Sequence, residues 1–467
     1  MDSLFGERLK EQHGINDEQL KLALERQRLQ GGRLGSNLAA LGFITEAELD
    51  SILSYEPPVP STIEQTGLSL NFVVDLALKH LLFMEVFSAQ ELSERLKLVP
   101  SIVEEALTVM RREHYIDAKG AGGLTKLAVR YAISDVGKRR AQALLEVSRY
   151  TGPAPVALDA YRHMAEVQTV KNVMVGVEDI KRAFTHLVVS EQMLKRIGPA
   201  VSSGRAIFLY GPPGNGKTTI AETIAKVLPD TIFIPYAIMV GDDLITMYDP
   251  VTHEAAPTDQ DGSIDPRWLR IKRPVVMTGG ELTLKMLDLE FNPISKFYEA
   301  PLQMKANNGL FIVDDFGRQQ VDPQHLLNRW IVPLERRTDF LSLQNGMKFE
   351  IPFDQLIIFS TNIEPRKLVD EAFLRRIRYK ILIDHPSERE YEEVFRRVCA
   401  SNSLDFDEEV FGYLMENFYR RLGVKLNACH PRDLVEHIID GARYFGHKPR
   451  LTKETITDAW ENYFVDI

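Results

Sequence analysis

The segment FIVDDFG, Phe311 to Gly317, ends an apolar run in two adjacent carboxylates, Asp314 and Asp315. Such a pair at a strand tip suits a metal ion, an activated water or a simple turn. A second segment narrows the choice. GPPGNGKT, Gly211 to Thr218, matches G-x-x-x-x-G-K-[ST] at every fixed position. It follows the apolar run AIFLY, Ala206 to Tyr210, and precedes TTIAETIAKVL, which reads as the start of a helix. Gly211, Gly214 and Gly216 let the backbone curl so that its N–H groups point at phosphate oxygens. The helix N-terminus adds partial positive charge there. Lys217 is placed to reach the β and γ phosphates, and the Thr218 hydroxyl to hold Mg²⁺. Pro212, Pro213, Asn215 and Thr219 complete the candidate nucleotide-binding set, and the cofactors expected are ATP and Mg²⁺. LFIV, Leu310 to Val313, is then the strand expected beside the phosphate loop. Asp314 at its end would bind the metal through water. Asp315 would orient the attacking water and take its proton.

These groups need a scaffold. At 467 residues the chain has room for about two to four domains. Hydrophobic content of 44% is ample for packed cores. The net charge of −10 argues against a nucleic-acid-coated surface, while a local basic patch stays open. No apolar run approaches the ~18 residues of a membrane span. The start, MDSLFGERLK, is too charged for a secretory signal. Cys399 and Cys429 form no metal-type cluster. A soluble chain in a reducing, cytoplasmic setting is expected.

The first ~60 residues repeat at a shift of 29, with Gly6 on Gly35, Leu9 on Leu38, Ile15 on Ile44, Leu20 on Leu49 and Leu24 on Leu53. Each half carries an amphipathic helix, about Asp17 to Gln30 and Glu46 to Tyr55, with Asn16 and Thr45 as N-caps. PPVPS, Pro57 to Ser61, reads as a linker. A second module follows. Leu70 to Phe83 is apolar at helical spacing, Ser88 caps AQELSERLKL, and Pro100 opens SIVEEALTVMRREH. Strand-like runs at Tyr115 to Asp117 and Ala128 to Ile133 flank KGAGG. Three helices and a hairpin resemble a winged helix. Glu104 and Glu105 on its would-be recognition helix would repel phosphates, which favours a protein-contact or spacer role over DNA binding. Beyond a proline-interrupted connector, Tyr150 to Tyr161, strands alternate with helices, which implies a parallel sheet.

From about Asn172 onward the chain resembles the AAA+ ATPases, through several motifs in order. Asp314 and Asp315 fall where that family has its Walker B acids. LIIFSTN, Leu356 to Asn362, resembles sensor 1, which implies that Asn362 hydrogen-bonds the lytic water or γ-phosphate; asparagine also favours strand-ending turns. DEAFLRRIRYKILI, Asp370 to Ile383, resembles the segment that carries arginine fingers, with Arg375 and Arg376 as candidates. Two solvated arginines at a helix end would also satisfy the helix dipole. A finger acts on a neighbour's nucleotide, so the resemblance implies a self-assembled ring, usually a hexamer. CHPRDLVEHI, Cys429 to Ile438, resembles the sensor 2 helix of a lid, with Arg432 turned back toward the phosphates. DFLSLQNGMKFEIPFD, Asp339 to Asp354, reads as a hairpin around Asn345-Gly346. It resembles the pre-sensor-1 insertion of MoxR-like and related clades, which lines or faces the ring's pore.

RLGSNLAALGFITEAELDSIL, Arg33 to Leu53, resembles the amino-terminal domain of type II secretion and type IV pilus ATPases, some of which bind cyclic di-GMP through paired R-L-G…Q repeats. The second repeat keeps Arg33, Leu34, Gly35 and Gly42 but has Glu56 where glutamine is usual; the first keeps Gly6 and Gln27 but has Leu4 for arginine. A missing arginine removes a bidentate contact.

The expected organisation is multidomain. A small all-α repeat domain (1–56) and a linker (57–69) precede an α/β winged-helix-like domain (70–149). A connector (150–171), an α/β P-loop core with a parallel sheet (172–385) and an α-helical lid (386–467) follow. The expected activity is ATP hydrolysis by an oligomer that remodels a protein client; the alternative is a nucleotide-gated DNA-binding regulator. Two features depart from the resembled family. Asp315 stands where glutamate is usual, which suggests slow turnover. Met247 to Trp268, rich in turn formers and acids, reads as a surface insertion without an aromatic pore motif.

Overall fold

The structure, a computed structural model, describes residues 15–30, 34–45, 56–121, 129–173, 175–228, 230–257 and 263–464. Five parallel strands carry the phosphate loop: β1 (Ile207–Tyr210), β2 (Val275–Thr278), β3 (Leu310–Val313), β4 (Leu356–Thr361) and β5 (Tyr379–Leu382). They lie in the order β5-β1-β4-β3-β2. All residues of β3 and β4 are buried, as strands covered on both faces must be. One face packs Ile207, Leu209, Ile312 and Ile358 against Ala221 and Ile224 of helix α1 (Lys217–Ala225). The other packs Phe208, Phe311 and Phe359 against Phe316 and against Trp330 of helix α2 (Pro323–Arg336). The run LFIV does not lie beside the phosphate-loop strand, because β4 is inserted between them. Apolar strands buried on both faces carry no signal for lateral order, so adjacency was not readable from periodicity.

The stretch between α1 and β3 is not a surface excursion. Glu290–Asn292, Phe297–Glu299, Asp243–Thr246, Ala237–Val240 and Val156–Ala157 form a second five-stranded sheet, so the connector supplies one of its edges. Within 247–268, His253, Asp265 and Arg267 are buried. The Arg267 guanidinium donates to both Asp265 carboxylate oxygens, to Thr66 O at 2.9 Å and to Pro155 O at 3.1 Å. A buried arginine needs its donors filled, and these acceptors come from three separate segments. Part of this polar stretch thus forms an internal joint, while Pro250, Val251, Glu254, Ala255 and Pro257 lie at the surface. The hairpin Thr338–Ser342 with Lys348–Pro352 turns at Gly346, which has φ 84°. Its Leu341, Phe349 and Ile351 pack into the second sheet's core with Tyr298 and Trp268.

In the N-terminal region, Asn16 and Gln19 cap each other's backbone N–H groups and start the helix Asp17–Gln30. Ala23 buries against Ile15, Leu38 and Ile44. The helix expected at 46–55, the first repeat's Leu4 and Gly6, and Arg33 lie outside the described residues. The next module forms helices Leu70–Leu81, Ala89–Leu96 and Pro100–Arg112, then strands Ile116–Ala121 and Val129–Ile133. Ser88 makes a full capping box with Glu91. Phe87 exchanges backbone hydrogen bonds with Tyr131, adding a short third rung to the hairpin. This module shares its apolar core with Ala237 and Leu244 of the second sheet.

The C-terminal helices pack around Tyr391, Phe395, Leu434, Ile438 and Trp460. Among them, α3 (His430–Phe445) has Pro431 in its first turn, where the missing N–H costs no hydrogen bond.

Candidate functional site

The phosphate loop joins β1 to α1, and two glycines in it have no substitute. Gly211 has φ 143°, and a Cβ there would lie 2.1 Å from Ile383 O. Gly214 has φ 74°, and its Cβ would meet Cys429 Sγ at 2.6 Å. Gly216 sits in the left-handed region as the N-cap of α1, so the free N–H groups of the first turn face the loop's hollow. Lys217 folds back over this hollow, and its Nζ donates to Gly211 O at 3.0 Å and Pro212 O at 2.8 Å. Burial lowers the Lys217 pKa; the carboxylates of Asp315 and Asp314 oppose that shift. Pro213 and Thr219 are exposed beside the loop.

Although β4 separates β1 from β3, the acid at the end of β3 reaches the loop. Thr218 Oγ1 donates to Asp314 Oδ2 at 2.8 Å. One residue on, Asp315 is exposed, and its Oδ1 accepts from Asn362 Nδ2 at 3.2 Å. Asn362 follows β4, whose end is fixed where Thr361 O accepts from Gly211 N. Lys217, Thr218, Asp314, Asp315 and Asn362 thus converge at the C-terminal ends of the three central parallel strands. A hydroxyl and a single carboxylate in contact are hard oxygen donors in the number Mg²⁺ takes from protein when phosphates and water complete its shell. Thr218 and Asp314 fit such an ion.

The arginines are placed differently. Arg375 is exposed just beyond the short helix Glu371–Leu374. Arg376 Nε lies 2.7 Å from Glu335 of α2. Arg432 in the first turn of α3 is exposed and faces Asp433 at 3.4 Å and Glu436 at 3.9 Å on its own helix. These ion pairs tie Arg376 and Arg432 to acids outside the phosphate loop.

What meets the loop instead is the turn that opens α3, at Asn427, Ala428 and Cys429. Cys429 N donates to Gly214 O at 2.9 Å, and Ala428 N to Asn215 Oδ1 at 3.0 Å. Asn215 is buried and also approaches Asn427 Oδ1 at 3.4 Å. From Asn427 a polar chain runs into the C-terminal helices. Its amide lies 3.2 Å from His430 Nε2, His430 Nδ1 lies 2.9 Å from Tyr419 OH, and Tyr419 OH lies 2.6 Å from Tyr391 OH. Burial pulls the His430 pKa down to about 4; Asp433 opposes this and His385 adds to it. The burial of Asn215 that this docking produces shows only in the fold. Its partner lies 212 residues away and leaves no local trace.

Comparison with known proteins gives three findings. Residues 387–462, in the C-terminal helices, match a family model described as "Domain of unknown function (DUF8689)". The chain is 23% identical over 245 residues to a probable spastin homolog of Brugia malayi, covering 50% of this chain and 41% of that protein. The chain thus spans well under half the length of the curated relative it matches. Among solved structures, the Thermotoga maritima RuvB Holliday junction branch migration motor is similar, with 14% identity, a TM-score of 0.33, and 64% of this chain and 73% of that chain covered. NtrX from Brucella abortus in complex with ADP has 14% identity and a TM-score of 0.37, with 60% and 57% covered. Overlaps of this size carry no functional argument. The parallel five-stranded sheet with a phosphate loop after β1 is itself consistent with an AAA+ P-loop domain.

Proposed function

We propose that this chain binds ATP with Mg²⁺ and hydrolyses it, as an AAA+-type ATPase of the remodelling kind. The observation that carries the reading is the 2.8 Å contact between Thr218 and Asp314, made across β4, with Asp315 and Asn362 alongside. In this reading the loop N–H groups and Lys217 take the phosphates. Lys217 exchanges its two carbonyl partners for phosphate oxygens. Thr218 and Asp314 hold the metal, which when bound neutralises charge on the phosphates. Asn362 keeps the Asp315 carboxylate in place, and Asp315 accepts the proton of the attacking water. Arg375 or Arg376 from a second copy supplies the remaining positive charge, and Arg432 turns inward when the lid closes. A ring, with a hexamer as the number the resemblance implies, and a protein client belong to this proposal. So do a cytoplasmic setting and a link to secretion or pilus assembly. Cyclic di-GMP binding rests on the N-terminal resemblance alone.

A second reading is a nucleotide-gated DNA regulator. It is supported by the antiparallel Phe87–Tyr131 bridge, which extends the hairpin of the middle module. Exposed Glu104 and Glu105 on Pro100–Arg112 weigh against it. Phosphate release by the wild-type chain, with and without Mg²⁺, tests the first reading. Metal-dependent release supports it, and its absence at every protein concentration overturns it. Duplex binding that weakens steeply with salt would favour the second.

A further inference from the structure

The turn that carries Asp315 is held by a side chain with no role assigned so far. Asp315 has φ 47°, a left-handed conformation that costs an L-residue energy and that aspartate tolerates better than most. The next residue, Phe316, is fully buried against Phe208 and Phe359 and anchors one side of the turn. Gln319 anchors the other. Its Nε2 lies 3.0 Å from Asp314 O, 3.3 Å from Asp315 O and 3.3 Å from Gly279 O. Its Oε1 accepts from Gly317 N at 2.8 Å. Three carbonyls on one side and an N–H on the other allow only one orientation of the amide. A single side chain therefore ties both acids' backbone to the loop that follows β2.

We infer that Gln319 is a positioning residue: it holds the left-handed turn that aims Asp315 at Asn362 and at the reacting water. The inference rests on the hydrolysis reading above. It also gives a reason for aspartate at 315, because a left-handed backbone suits the shorter acid. Gln319 bonds the backbone carbonyl of Asp314 and not its carboxylate, which stays with Thr218, so it acts on turnover and not on nucleotide affinity.

The test compares steady-state ATP hydrolysis, affinity for a fluorescent ATP analogue and thermal melting for wild type, Gln319→Ala and Gln319→Glu. The glutamate variant keeps the volume but sets a carboxylate oxygen against three carbonyls, which guards against a mere packing effect. The expected result is a fall in kcat on the order of 10- to 100-fold in both variants. Analogue affinity should stay within about twofold of wild type and melting should be unchanged. A kcat within twofold of wild type in both variants overturns the inference. So does a joint loss of kcat and affinity, which would mark Gln319 as a general support of the fold. Wild-type chain that binds the analogue without hydrolysing ATP overturns the hydrolysis reading, and the positioning role with it.

Discussion

Two sets of charged groups surround the phosphate loop, and one chain assembles only the first. Lys217, Thr218, Asp314, Asp315 and Asn362 are joined to the loop or to one another by contacts of 2.8 to 3.2 Å. Arg375 is exposed, Arg432 faces the acids of its own helix, and Arg376 is tied to Glu335. The first set sits on strand ends, where the sheet's hydrogen-bond register fixes position to a fraction of an ångström. The second sits on helix ends and short helices, where a long side chain finds whichever acid is near. The single chain thus assembles the loop, the Thr218–Asp314 pair and the Asp315–Asn362 pair, whereas under the proposed hydrolysis the arginines must arrive by a movement or from a second copy.

The largest break in that comparison is Lys217→Ala. It should remove nucleotide binding and turnover together, with affinity down on the order of 100-fold or more by titration with a fluorescent analogue. Retained affinity would mean that the loop backbone suffices. The arginines come next. Arg375→Ala and Arg376→Ala should leave affinity intact, and one of them should lower turnover on the order of 1,000-fold. Mixing that variant with Lys217→Ala should restore part of the rate, because each copy supplies what the other lacks. No rescue on mixing would place the arginine's action within its own chain.

A smaller effect concerns the lid turn that borders both sets. With its pKa lowered from 6.5 to about 4, His430 stays neutral in the fold while the unfolded chain takes up a proton. Stability from this site is therefore full above pH 6.5 and is lost progressively as pH falls toward 4, by about 3 kcal/mol at most. Melting curves across that window should flatten in His430→Gln relative to wild type. An identical pH slope in both would remove His430 as the cause.

The loop and its acids were readable because they are local. A glycine spacing, an apolar run and a terminal acid each span fewer than ten residues, and backbone geometry does the rest. The helices of the middle module were equally legible, because Ser88 and Pro100 mark their starts and the apolar faces repeat at helical spacing. Lateral strand order was not, since β3 and β4 are buried throughout and look alike in sequence. Nor was the second sheet, whose strands are short and separated by polar stretches such as 247–268. There Arg267 and Asp265 looked like surface charges until their partners Thr66 and Pro155 came together around them. The docking of Asn215 on Asn427 and the clamp of Gln319 on Gly279 were likewise invisible, because both join residues distant in the chain.

The claim that matters most is the division of labour between the adjacent acids. Asp315→Asn keeps a side chain that accepts the left-handed turn and can still bond Asn362, but it removes the proton acceptor. Analogue binding and phosphate release measured side by side on this variant test the claim directly. The account predicts affinity within about threefold of wild type and turnover reduced on the order of 100-fold or more. Hydrolysis at the wild-type rate would contradict it.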